Sequence, residues 1–304
     1  MPYSVEGKIV IAISSSALFD MKESSEIFDT QGLKAYKEHQ NKNIDVPFDK
    51  GVAFPFISRL LKINEDLPSI HPVEVIMLSK NSPETGLRAF NSFKHYGLDI
   101  TRAVLSSGGT NFQYLPAFNA DLFLSSNEKD VKEALRLGYP AGTIVANTID
   151  DDNNPELRLA FDFDGVLADD ESEKVYKEEG MDEYRAYESS RKTEPLSPGP
   201  LEPLLKKISQ FQNLERTYSE KHPDYIPKIK TSIITARNAP AHERMIRTLN
   251  GWGIDVDALF LLGGMDKDKI LSILRPHMFF DDQMVHLENI HAPAVHIPFG
   301  IANK

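Results

Sequence analysis

Residues 157–172 read LRLAFDFDGVLADDES, an apolar run that ends in paired aspartates and a glycine. Leu157–Phe161 is an apolar run of strand length, and Asp162 and Asp164 follow it at once. Two aspartates leaving the carboxyl end of a buried strand lie in the crevice where open α/β sheets bind ligands. Gly165 eases the tight turn by which the chain leaves the sheet. Outward from here, further runs rich in Ile, Val and Phe read as strands: Lys8–Ile13, Val73–Leu78, Asp121–Leu124, Thr231–Thr235 and Met278–Phe280. Helical pattern lies between them, clearest in Ala241–Gly251 after Pro240, and a further helix is expected over Leu201–Phe211. Strands alternating with helices predict a doubly wound α/β fold with parallel sheets.

The opening stretch also has an echo. Ile9–Ser24 reads IVIAISSSALFDMKES, which sets Ile9 against Leu157 and Ser24 against Ser172. SKNSP (Ser79–Pro83) is echoed by ARNAP (Ala236–Pro240), YGLDI (Tyr96–Ile100) by WGIDV (Trp252–Val256), Gly108-Gly109 by Gly263-Gly264, and DLFLSSN by HMFFDDQ. Matches in one order at nearly constant offset predict two homologous Rossmann-like halves. We expect residues 1–150 and 151–304 as those halves, joined in the polar stretch DDDNNP at Asp150–Pro155. The halves differ where chemistry would sit. Asp162 faces Ser14, Asp164 faces Ser16, Asp281-Asp282 faces Ser125-Ser126, and Thr235 faces Leu78.

Composition narrows the partners. The 304 residues carry a net charge of −11, of which −3 falls in residues 1–150 and −8 in 151–304. An acidic chain without a segregated basic face is repelled by polymeric nucleic acid. No apolar run reaches the ~18 residues of a membrane span. The N-terminus lacks the basic-then-apolar order of a secretory signal, so a cytoplasmic location is expected. There is no cysteine, which excludes disulfides, thiolate metal sites and a Cys nucleophile. Oligomeric state is left open.

The acidic excess has a chemical use. Asp162, Asp164, Asp281 and Asp282 all leave apolar strands, and on central parallel strands they meet at one sheet edge. Carboxylates crowded in one crevice repel each other unless a cation sits among them, and hard oxygen donors point to Mg²⁺. Thr235 ends a strand before a helix; its hydroxyl and the following N–H groups, Ala236 among them, form an anion site. Arg237 adds charge for a phosphate oxygen. Lys267, with Lys269 as its rival, follows a glycine pair and can pin both a phosphate and an aspartate. These parts together suit phosphoryl transfer through an aspartyl-phosphate. Residues 169–200 lengthen the connection between Asp164 and Thr235 and read as a small helical cap over the crevice. Tyr176, Tyr184 and Tyr187 have spacings compatible with one helix face; they either pack the cap on the core or face a flat nucleobase.

The order DxDGV, T, K, DD resembles the haloacid dehalogenase-like (HAD) phosphohydrolase superfamily. That resemblance implies a HAD-like fold for the catalytic half, Asp162 as nucleophile and Asp164 as general acid/base. It also implies Mg²⁺ on Asp162, the main-chain carbonyl of Asp164, and Asp281, with Asp282 close by, and the phosphoryl group on Thr235 and Lys267. Longer segments are similar to the cytosolic 5′-nucleotidase I family: ISSSALFD, LSKNSPETGLRAF, LAFDFDGVLADDESEKVY, ITARNAPAHERMIRTLNGWGIDVDALFLLGG and FFDDQ. Such resemblance implies Mg²⁺-dependent hydrolysis of nucleoside 5′-monophosphates, AMP favoured. This chain has DFDGV where animal members have DGDAV, which keeps both aspartates and bears on substrate preference. Competing readings are another small phosphate ester as substrate, phosphotransfer to a nucleoside, or nucleotide sensing without turnover. The first half keeps polar turns but no carboxylates. Ser14, Asn81 and Thr85 there either form a second nucleotide site, for substrate or effector, or are retained for folding.

Overall fold

A computed structural model of the chain describes residues 3–145, 152 and 154–303, and divides them at Ile144/Val145 into two compact units. Of the expected junction at 150–155, residues 150, 151 and 153 fall outside the described residues. In the first unit the strands are β1 (Ile9–Ile13), β2 (Val73–Ser79), β3 (Arg102–Leu105), β4 (Leu122–Ser125) and β5 (Ala141–Val145). They pair in parallel in the order β5-β4-β1-β2-β3. In the second unit β6 (Leu157–Phe161), β7 (Ile229–Thr235), β8 (Ala258–Leu261), β9 (Met278–Asp281) and β10 (Ala294–His296) pair in parallel as β10-β9-β6-β7-β8. Both units therefore show a mixed α/β architecture with parallel strands and one strand order. Every residue of β1 and β2 is buried, as continuous apolar runs require in a sheet covered on both faces.

The registers coincide as well. Ile13 pairs with Met77 and Leu124; Phe161, its counterpart, pairs with Ile233 and Phe280, the counterparts of those two. At the strand ends Ser79 pairs with Leu105, and Thr235 with Leu261. Thr235 thus stands where Ser79 stands, not Leu78 as the sequence offset suggested. A repeated SxN or ARN tripeptide can be slid by one residue without penalty, whereas strand pairing cannot, because a one-residue slip turns every side chain to the other face.

Helices flank these strands: α1 (Lys22–Lys42), α2 (Pro83–Tyr96), α3 (Glu171–Glu179), α4 (Met181–Ser190), α5 (Glu202–Lys221), α6 (His242–Trp252) and α7 (Asp268–Leu274). The single helix face expected for three tyrosines is corrected: Gly180 (φ 96, ψ −175) breaks the segment into α3 and α4. Only glycine enters that region without strain. Gly32, its counterpart in the first unit, breaks α1 with φ 81 and ψ −178. Helix α6 runs one residue past Gly251 and stops at left-handed Gly253, and α5 outlasts its expected end at Phe211. Among the described residues no helix is long and apolar enough to cross a membrane.

Candidate active site

Strand β6 lies between β7 and β9, so the carboxyl ends of three adjacent strands deliver side chains to one crevice of the second unit. Asp162 follows β6, Thr235 ends β7, and Asp281 ends β9. All three are buried. Lys267, which caps the start of α7, reaches in from the side: its Nζ lies 3.0 Å from Asp162 Oδ1 and donates to Asp281 Oδ2 at 2.6 Å. Lys269 is exposed on α7, so the geometry separates the two rival lysines. Burial opposes the charge on Lys267, but Asp162 and Asp281 outweigh it and raise its pKa. Burial likewise raises Asp162, with Asp281 and Asp164 adding to the rise against Lys267. For Asp281 burial pushes upward, yet Lys267 and His286 hold its carboxyl below the usual range.

Asp282 is the anomaly. It is fully buried, neither carboxylate oxygen has a partner, and burial together with Asp162 and Asp281 pushes its pKa up to about 9. A Cβ at Gly165 would come within 2.5 Å of Asp282 Oδ2, so the glycine in DxDG makes room for this carboxylate as well as for the turn (φ 74). A buried acidic group left unpaired is costly, and a divalent cation beside it would supply the missing charge. The donor set fits such an ion: Asp162, Asp281 and His286 each offer an atom within 4.8 Å of the others. Neither Asp164 nor Asp282 belongs to that group.

The Asp164 carboxylate is held by Arg237 in a two-pronged ion pair, Nε at 2.7 Å and Nη2 at 2.6 Å. Arg237 is itself buried, and its Nη1 donates to Glu188 Oε2 at 2.6 Å. Glu188 sits on α4 with no exposed side-chain surface, and also accepts from Arg244 at 2.9 Å and Ser172 at 2.7 Å. Burial works against the charge of Arg237, but Asp164, Tyr184 and Glu188 more than offset it. Arg237 is thus engaged by two carboxylates rather than standing free for phosphate. Thr235 Oγ1 accepts from the Arg237 N–H at 3.1 Å, which orients the turn after β7.

Sequence reasoning did not pick out Glu188, Arg244 or His286. Glu188 and Arg244 meet across 56 residues, and nothing local marks a buried ion pair of that kind. His286 had a usable signal, an imidazole five residues after Asp281. A cavity of about 320 Å³ opens over the cluster, lined by Asp162, Asp164, Thr235, Ala236 and Arg237 below and by Tyr176, Met181 and Tyr184 of the inserted helices above. Tyr176 and Tyr184 meet edge to face at 6.2 Å, whereas Tyr187 turns away to donate to Glu171.

The first-unit residues singled out from the sequence also share a cavity. Ser14 caps the short helix Ser15–Leu18, Asn81 Oδ1 accepts from the Tyr36 hydroxyl at 2.8 Å, and Thr85 bonds back to Ser82 at the start of α2. All three line a cavity of about 710 Å³.

A family model described as 5′-nucleotidase matches residues 1–304. Human (Homo sapiens) cytosolic 5′-nucleotidase 1B is 35% identical over 310 residues, which cover 100% of this chain and 50% of that protein. The chain therefore spans about half the length of the curated relative it matches. A chain from the solved structure of the Pnkp1/Rnl/Hen1 complex aligns over 97% of both chains at 14% identity and a TM-score of 0.32, a likeness too slight to bear on the fold.

Proposed function

The chain belongs to the 5′-nucleotidase family, and on that premise we propose that it hydrolyses nucleoside 5′-monophosphates, AMP favoured, to nucleoside and phosphate in the cytoplasm, with Mg²⁺ as cofactor. The reading treats the two units as one HAD-like α/β unit written twice, the second catalytic and α3–α4 its cap. What carries it is the buried meeting of Asp162, Lys267 and Asp281 beneath a cavity whose far wall is aromatic.

Asp162 and Asp281 would hold Mg²⁺, with His286 or Asp282 beside them; when bound, the ion neutralises charge on the phosphoryl oxygens. Lys267 and Thr235, with the N–H groups that follow β7, bind and orient the phosphoryl group. An Asp162 carboxylate oxygen attacks phosphorus, and the P–O bond to the sugar breaks with its electron pair left on the alkoxide. Asp164 gives that oxygen a proton, then takes one from the water that attacks phosphorus and frees Asp162. Arg237 occupies both carboxylate oxygens of Asp164, so this pair must open for Asp164 to reach the leaving oxygen; an entering phosphoryl group offers Arg237 another anion. Tyr176, Met181 and Tyr184 would face the base.

The test is phosphate release from a panel of nucleoside monophosphates and sugar phosphates, with Mg²⁺ and with EDTA. Release from AMP that EDTA stops is the expected result. Release from sugar phosphates alone, or transfer to an added nucleoside in place of release, would replace this reading with one of its competitors.

A further inference from the structure

Every residue lining the second-unit cavity has a counterpart lining the first-unit cavity, when the two units are aligned on their paired strands. The correspondence extends to the packing behind the walls. Phe28 and Tyr36 stand for Tyr176 and Tyr184, and meet edge to face at 5.8 Å as those do at 6.2 Å. Gln40 stands for Glu188, donates to Ser24 at 2.9 Å and accepts from Arg88 at 3.2 Å, as Glu188 accepts from Ser172 and Arg244. A pocket whose shape and aromatic pair are kept while its chemistry is exchanged is still built to hold something.

At the positions of the charged cluster the exchanges remove both signs together, and Lys37, which also lines the first-unit cavity, is paired with Glu84 at 3.3 Å. The carboxylates of Asp162, Asp164, Asp281 and Asp282 become the hydroxyls of Ser14, Ser16, Ser125 and Ser126. The cations go too: Asn81 replaces Arg237, and Asn111 replaces Lys267. Lys80, which stands for Ala236, is neutralised by Asp130 at 2.7 Å. Among the described residues, the grouping of possible metal ligands lies in the second unit alone. A phosphate dianion would meet no unpaired cation among these positions and no site for a bridging metal. Two buried polar atoms here lack partners: Asn81 Nδ2, a donor, and Oδ1 of Asn111, an acceptor on a residue only 2% exposed. An ionised phosphate can only accept, and so cannot satisfy the acceptor; a sugar hydroxyl, which both donates and accepts, satisfies both kinds.

We propose that the first unit is a metal-independent binding site for an uncharged nucleoside, its base against Phe28 and Tyr36 and its hydroxyls on Asn81, Asn111 and the serines. This sharpens the nucleotide site expected from Ser14, Asn81 and Thr85, and its choice of ligand rests on the reading of the second unit as a nucleotidase. The experiment is equilibrium dialysis of radiolabelled adenosine against the full chain in EDTA, carried out in a Tyr176→Ala background to weaken the second-unit pocket. Saturable binding is expected. A further Phe28→Ala change should weaken it about tenfold, the scale of losing one stacked base, with the circular dichroism spectrum unchanged because Phe28 is half-exposed. Asn111→Ala should weaken it as well, and AMP should bind no more tightly than adenosine. No saturable binding, indifference to both substitutions, or AMP binding at least about tenfold tighter would overturn the proposal. Phosphate release with Mg²⁺ reports separately on the hydrolytic reading, so either can fail alone.

Discussion

The ends of β1 and β6 occupy the same place in their strand orders and carry opposite chemistry. Both strands pair with the same relative neighbours in the same register, and each is followed by the chain segment that lines its unit's cavity. Yet Asp162 and Asp164 leave one, and Ser14 and Ser16 leave the other. Strand order and register therefore do not depend on the carboxylates. The hydroxyls reproduce even their backbone contacts: Ser125 Oγ accepts from the Asn127 N–H as Asp281 Oδ1 does from that of Gln283, and Ser79 Oγ accepts from Asn81 as Thr235 Oγ1 does from Arg237. What the second unit adds is charge, and charge in a buried crevice is maintained for chemistry rather than for folding.

The most decisive substitutions make each strand end resemble the other. Asp162→Asn should lower the rate of phosphate release from AMP by at least about 10⁴-fold, as loss of a covalent nucleophile does. Ser14→Asp should create no activity when combined with it, since the first unit also lacks the lysine and the Asp281 equivalent. Single-turnover assays on the two variants read both statements. Activity surviving in Asp162→Asn would remove the nucleophile assignment.

The next largest effect separates Glu188 from Gln40. Glu188 is shared by two guanidinium groups and a hydroxyl in full burial, so Glu188→Gln leaves two buried cations short of an anion. We expect a loss of about 3 kcal/mol in unfolding free energy, typical of a broken buried ion pair. A fall in kcat should accompany it, because Arg237 also holds Asp164. Gln40→Ala removes one hydrogen bond to Ser24 and one from the Arg88 guanidinium and should cost about 2 kcal/mol with no effect on kcat. Urea unfolding and steady-state kinetics on both variants make the comparison; equal losses would show that the charge adds nothing.

Much of this was legible in the sequence, for specific reasons. Strands such as Val73–Ser79 announce themselves because parallel strands buried on both faces are written as unbroken apolar runs. Asp162, Asp281 and Lys267 were legible because each follows a strand end or a glycine turn. The correspondence of Thr235 to Ser79 was not, since register is a property of two strands and not of one. Nor was the break at Gly180: the tyrosine spacing fits a continuous helix, and only the left-handed φ of that one residue divides it. The engagement of Arg237 was hidden for a similar reason, because Asp164 and Glu188 lie 73 and 49 residues away.

Gly165 offers a smaller contrast. Its first-unit counterpart is Ala17, which is buried in the short helix after β1. A methyl group is tolerated in that unit, where Ser126 takes the place of Asp282. Gly165→Ala would place its Cβ 2.5 Å from Asp282 Oδ2 on a backbone with φ 74. We expect about 1–3 kcal/mol of destabilisation and weaker Mg²⁺ dependence as Asp282 is displaced, read by thermal unfolding and by titrating activity with the metal. Ala17→Gly should change stability by less than about 1 kcal/mol and leave the metal titration alone.

The smallest expected effect tests the finest distinction, that between two lysines two residues apart. Lys267 points into the crevice because it precedes α7 and its side chain spans to both Asp162 and Asp281. Lys269 lies within the first turn of α7, on its exposed side. Its counterpart, Gln113, is exposed as well and donates to the carbonyl of Thr110, and neither residue lines its unit's cavity. Lys269→Ala should change stability by no more than about 0.5 kcal/mol, as surface substitutions do, and leave kcat and KM within about twofold. Lys267→Ala removes the cation between two buried carboxylates and should abolish most activity. Matching losses in the two variants, measured under the same Mg²⁺ concentration, would mean that Lys269 also acts on the phosphoryl group and that the crevice is wider than the contacts of Lys267 imply.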